Sequence, residues 1–183
     1  MGAMGQYVDL QVNGFAGVDF SSADLTAEEV TRAFRGVLRR GTAAFLPTVI
    51  TSPPEIYARN LPLLVDVMDR PEFRKHVLGL HLEGPFISAE PGAVGAHNPA
   101  YVQAPSVRLL DALLDHGGDR VRLLTVAAEL TGIADVVSAA CNRDVAVSIG
   151  HSMFTMSALD RVYAAGARSL THLGNGLPNL LPR

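Results

Sequence analysis

The sequence predicts an α/β fold, a parallel sheet wound strand-helix by strand-helix in the rhythm of a barrel. Three observations carry this reading. Strand-like and helix-like stretches alternate along the chain, six of the first and five of the second, and such alternation means parallel strands joined by right-handed crossovers. Strands such as Val145 to Ile149 are apolar throughout, which suits a sheet covered on both faces. No Gly-x-Gly-x-x-Gly follows the first strand, so a dinucleotide-binding sheet loses ground. The expected architecture is therefore a (β/α)8 TIM-barrel of which this chain supplies about six β/α units, strands 1–6.

Each element has its own signal. Tyr7 to Val12 reads as a strand ended by the turn-forming Asn13-Gly14. Gly14 to Phe20 reads as a flexible loop. Ser22 and Asp24 offer N-caps to a helix from Thr26 to Arg40, with Val30, Phe34, Val37 and Leu38 on one face. Ala43 to Ile50 is the next strand, and Pro47 predicts that regular pairing stops near it. Pro54 suits the first turn of a helix over Glu55 to Asp69.

Val77 to Leu82 is a strand running into Glu83-Gly84-Pro85. The connection from Gly84 to Pro105 is long, and loops of that length are usually functional or disordered. Then follow a helix from Ser106 to His116, a strand from Val121 to Ala127, a helix from Ile133 to Cys141 and the strand Val145 to Ile149. A helix from Thr155 to Ala165 leads to a last strand, Ser169 to Leu173, and an irregular tail from Leu177 to Arg183. Residues 1–5 read as a leader, with a second Met close behind the first, and 6–183 as a partial catalytic barrel domain.

Composition narrows the class. The chain has 183 residues, 48% of them apolar, and a formal net charge of -3. No basic stripe invites nucleic acid. No apolar run reaches the length of a membrane span, and no signal pattern opens the chain. The single cysteine, Cys141, forms no internal disulfide, which fits a reducing, cytoplasmic setting. Its neighbours on the helix are apolar, as for a packed thiol.

Chemistry is expected where barrel strands give way to the loops that follow. Those positions hold Gln11 and Asn13, then Glu83, His151 and His172. A carboxylate closing a buried strand is costly unless a cation, an arginine or a helix end compensates it. Two histidines and a glutamate at matching strand ends form the His2Glu set of a catalytic metal with one open position. Zinc suits such a set, and iron or cobalt suit it similarly. His81 shares a strand face with Glu83 and is expected to orient a ligand rather than bind metal itself. His76 and His116 lie away from this end.

The motifs Asp9-Leu10-Gln11-Val12-Asn13-Gly14, Gly79-Leu80-His81-Leu82-Glu83-Gly84-Pro85-Phe86, Gly95-Ala96-His97-Asn98-Pro99, Gly150-His151-Ser152 and Thr171-His172-Leu173-Gly174-Asn175 occur in this order. In them the chain resembles the N-acetylglucosamine-6-phosphate deacetylases, a family of the amidohydrolase superfamily. The resemblance implies a barrel of the metal-dependent hydrolase type. It also implies one divalent metal on Glu83, His151 and His172, with Gln11 and Asn13 in the substrate pocket where other amidohydrolases carry a His-x-His pair. His97 and the Ala96 backbone would contact the sugar, and Asn175 and Gly176 the phosphate. Arg183 matches an arginine that reaches the partner subunit's phosphate in a homodimer.

The implied reaction is hydrolysis of the acetamide of N-acetylglucosamine 6-phosphate, an amino-sugar phosphate, to glucosamine 6-phosphate and acetate. The proton-transferring aspartate would lie beyond Arg183, so this stretch alone is expected to turn over poorly. Two other readings stay open. One is an amidohydrolase for a different amide or amino sugar, and the other a non-catalytic module that keeps the metal and phosphate loops.

Overall fold

The computed structural model describes residues 7–175. Six parallel strands form one sheet in the order β1-β4-β5-β6-β7-β8: β1 Tyr7–Val12, β4 Thr42–Ile50, β5 Leu80–Glu83, β6 Val121–Val126, β7 Ala146–Ile149 and β8 Ser169–Leu170. The helices between them are α1 Ala27–Arg39, α2 Pro54–Met68, α3 Val107–Gly117, α4 Ile133–Asn142 and α5 Met156–Ala165. Each helix packs against the next, α1 on α2 through to α4 on α5. A doubly wound sheet would part them onto two faces. A single outer layer in strand order is what a curled half-barrel produces.

The core lies between helices and sheet. Phe34 of α1 is fully buried, with the rings of Phe20, Phe45 and Phe73 edge-on at 5.7, 5.1 and 5.3 Å, the arrangement aromatic quadrupoles favour. Across the sheet edges the pattern reverses. Tyr7, Val8 and Leu10 on β1 and Leu170 on β8 are exposed apolar residues, because an edge strand has a neighbour on one side only.

The structure corrects several details. Gly14 to Phe20 is not a loose loop but a small hairpin, β2 Gly14–Phe15 paired with β3 Val18–Asp19. Ala16 and Gly17 turn it with positive φ, 51° and 80°, the twist a two-residue hairpin requires. The cap of α1 is Thr26, not Ser22 or Asp24. Its hydroxyl accepts from the Glu29 amide while the Glu29 carboxylate accepts from the Thr26 amide, a reciprocal capping box.

Pairing also continues past Pro47. Pro47 faces Val12 after an irregular stretch of the β1 ladder, and the pairs with β5 begin only at Thr48, so its missing N–H costs little. The strand before Glu83 is shorter than expected, with Val77 making a lone bridge to Phe45, and the last strand ends at Leu170 rather than Leu173. The long connection after Glu83 is ordered: Phe86, Ile87, Ser88, Ala93 and His97 are buried, and a 3-10 turn forms at Pro99–Tyr101. Among the described residues, no helix is long and apolar enough to cross a membrane.

Candidate metal centre

Three strand ends converge on one carboxylate oxygen at the end of a fourth. The Gln11 side-chain amide, at β1, donates to Glu83 Oε1 at 2.7 Å. His151, after β7, places Nε2 at 3.1 Å from the same oxygen, and His172, after β8, at 2.9 Å. His151 and His172 touch each other through Nε2 at 3.0 Å. Glu83 and His151 are buried.

Both histidines have left-handed backbones, φ 50° at His151 and 31° at His172. Such conformations cost energy outside glycine and persist only where the surroundings impose them. For His151 the constraint is visible. Its Nδ1–H donates to the Ala93 carbonyl at 2.8 Å, which turns Nε2 toward Glu83. The next residue is held too: Ser152 donates to the Glu129 carboxylate, which also accepts from the Met153 amide at 2.7 Å.

His97 enters from the long connection. Its Nε2 lies 3.2 Å from His151 Nε2 and 3.7 Å from Glu83 Oε2. Its Nδ1 accepts from the Thr51 amide at 3.3 Å, so the neutral ring carries its proton on Nε2. Burial, then the neighbouring His151, pushes His97 down to about 4, and the ring is neutral near pH 7. Burial opposes charge on Glu83 as well, but the hydrogen bond to His151 and the surrounding imidazoles outweigh it and bring the carboxyl down to about 2. Burial likewise opposes charge on His151, and Glu83 with the Ala93 carbonyl raises it.

The donor chemistry fits a divalent cation. Imidazole nitrogens facing each other at 3.0–3.2 Å around an ionised carboxylate cannot all hold protons, and a shared cation relieves the crowding of lone pairs. Glu83, His97 and His151 offer ligand atoms within 4.8 Å of one another, and Glu83, His151 and His172 form the tighter alternative set. Among the described residues no second carboxylate joins the cluster.

No family model matches the chain. A curated N-acetylglucosamine-6-phosphate deacetylase from Homo sapiens is 38% identical over 174 residues, 93% of this chain and 42% of the relative. A variant of N-acetyl-D-glucosamine-6-phosphate deacetylase from Mycobacterium smegmatis, solved in complex with N-acetyl-D-glucosamine-6-phosphate, matches with a TM-score of 0.83 at 30% identity, over 95% of this chain and 44% of that one. Over nearly all of its length the chain is similar to N-acetylglucosamine-6-phosphate deacetylases. An N-acetylgalactosamine-6-phosphate deacetylase of Escherichia coli O157:H7 is 29% identical, over 95% of this chain and 45% of the relative. The chain thus spans less than half the length of each of these deacetylases.

The other residues expected in a deacetylase site are dispersed. Gln11 points at Glu83 and so orients the carboxylate directly. Asn13 is exposed and lines a surface hollow with Gly14 and Phe15. Ala96 and Asn175 are exposed near His97 and His172 in sequence, and the Asn175 amide donates to the His172 carbonyl at 2.9 Å. Gly176 and Arg183 lie outside the described residues. His81 does not bond Glu83, since both its nitrogens are taken by Thr48 and Thr125 hydroxyls at 3.2 and 2.8 Å. Thr51, Glu129 and the Ala93 carbonyl were not legible as site residues.

Proposed function

We propose that this chain is the metal-holding part of a (β/α)8 deacetylase acting on N-acetylglucosamine 6-phosphate, with Glu83, His151 and His172 as ligands of one divalent cation, zinc or alternatively iron or cobalt. The convergence of Glu83 Oε1 with the Nε2 atoms of His151 and His172 carries the reading. A cation held there supplies Lewis acidity at the acetamide carbonyl and a hydroxide near neutral pH.

The chain's own groups divide the remaining work. Glu83 stays ionised, and Gln11 holds it in place through the 2.7 Å hydrogen bond. His97 presents Nε2–H to the site, which suits donation to a substrate oxygen better than metal ligation, so it is assigned to the sugar together with the Ala96 backbone. Asn175, Gly176 and, across a dimer, Arg183 are assigned to the phosphate. The proton from water to the leaving amine is assigned to an aspartate beyond Arg183, because Glu83 is engaged and no second carboxylate among the described residues stands at the cluster.

Acetate release tests this. A chain extended at its C-terminus is expected to deacetylate N-acetylglucosamine 6-phosphate in preference to unphosphorylated N-acetylglucosamine, and the 183-residue chain to be slow or inactive. Equal use of both sugars, or fast turnover by the short chain, would contradict the assignment. The likeness to an N-acetylgalactosamine-6-phosphate deacetylase makes the 4-epimer the control for sugar identity.

A further inference from the structure

Below the metal centre, the inner face of the sheet carries a belt of polar side chains where branched apolar residues would normally fill a barrel. Thr48 of β4 meets His81 Nδ1 at 3.2 Å, and His81 Nε2 meets the Thr125 hydroxyl of β6 at 2.8 Å. Thr125 meets the Thr171 hydroxyl at 2.7 Å, and Thr171 donates to Ser148 of β7 at 2.7 Å. All five are buried. The final donation sets the direction of the rest. With the Thr171 proton on Ser148, Thr125 donates to Thr171 and must accept from His81 Nε2–H. The Thr48 hydroxyl is then shared between His81 Nδ1 and the Leu46 carbonyl.

The belt ends next to a ligand that lacks the usual support. Metal-binding histidines almost always donate through their other nitrogen, which fixes the ring. His151 does so, to Ala93. His172 Nδ1 is buried and has no partner among the described residues. Its neighbour Thr171 is fixed three ways instead: amide to the Ile149 carbonyl at 2.9 Å, and hydroxyl to Thr125 and Ser148.

We infer that His81, Thr125 and Thr171 are positioning residues, a hydroxyl-imidazole relay that fixes the backbone at Thr171 and so aims the His172 ring at Glu83. This rests on the metal reading proposed above. The relay touches no reacting atom.

Zinc affinity of the full chain by competition titration, with the visible spectrum of the cobalt-loaded protein, tests it against thermal unfolding of the metal-free forms. Thr125→Val and Thr171→Val each remove a hydroxyl at constant shape and are expected to weaken zinc about 10- to 100-fold and to alter the cobalt spectrum. Thr125→Ser and Thr171→Ser, which keep the hydroxyl, are expected to restore both. The double valine variant should bind no more weakly than the worse single one, as for residues in one network. If a valine variant fails to fold, Thr125→Ala or Thr171→Ala at the same position repeats the test with a smaller side chain. Lower unfolding temperatures with unchanged zinc affinity would overturn the relay while leaving the metal reading intact. Failure of the unmodified chain to bind zinc would overturn both.

Discussion

Glu83 Oε1 and His172 Nε2 stand 2.9 Å apart although 89 residues separate them in sequence. Their strands, β5 and β8, are three steps apart in the sheet. Flat, that is about 14 Å at the usual strand spacing, more than the two side chains reach. Gln11 closes on Glu83 from two strands away on the other side. The curl of the sheet is thus what assembles the centre, and changes that flatten the sheet or loosen a strand end should pull the Glu83 and His172 side chains apart.

Gln11 holds Glu83 without being a ligand. Gln11→Leu should weaken zinc binding about 10-fold, in the range for partners that orient metal ligands, with the unfolding midpoint little changed. Isothermal titration of the metal-free protein checks this, and unchanged affinity would show that Glu83 needs no such support.

Acid should destabilise the metal-free fold in a defined window. Burial holds His81 at about 4 against an ordinary 6.5, so the unfolded chain takes up that proton first. Stability is whole above pH 6.5, falls as pH drops, and the loss levels off below 4 at about 3 kcal/mol. His97 acts with the same sign over the same window. Glu83, depressed toward 2, contributes a further loss only below its ordinary 4.5. His151, which is raised, contributes stability below 6.5 that is lost at higher pH. Urea midpoints at pH 7, 5.5 and 4 should converge for the unmodified chain and His81→Phe, whereas a pH-independent gap would contradict the buried neutral ring.

Phe34 joins α1 to β4 and to the segment before β5 through its three edge-on rings. Phe34→Ala should cost about 3–5 kcal/mol, since the cavity cannot collapse among packed aromatics. Urea unfolding gives the number, and a loss below about 1 kcal/mol would mean that the cluster repacks.

Gly84→Ala should disturb the centre from behind. At Gly84 φ is +89°, and a Cβ would lie 2.1 Å from Thr51 Oγ1. Thr51 donates its hydroxyl to the Glu83 carbonyl and its amide to His97 Nδ1. The predicted result is lower stability together with a shifted His97 imidazole resonance by NMR. A native-like His97 signal in a folded variant would show that Thr51 does not hold the ring.

The winding of the fold and the Glu-His-His set were legible because they rest on local periodicity and on residue types at strand ends. Gly150-His151-Ser152 and Thr171-His172 each close a recognisable strand. The hairpin at Gly14–Asp19 was not, because Ala16 hides a positive φ that sequence usually advertises with Asn or Gly. The entry of His97 depends on how a 22-residue connection, Gly84 to Pro105, folds back over the sheet. No periodicity records that. His81 is legible only in part for a similar reason: strand alternation puts it beneath Glu83, but only the neighbouring strands show that Thr48 and Thr125 occupy both its nitrogens.

Metal stoichiometry across four single substitutions decides the ligand set most directly. Purified, metal-reconstituted chain should carry one equivalent of divalent cation by elemental analysis. Glu83→Ala, His151→Ala and His172→Ala should each lose it, and His97→Ala should keep it. Retention by His172→Ala with loss in His97→Ala would move the metal onto Glu83, His97 and His151 and contradict the assignment.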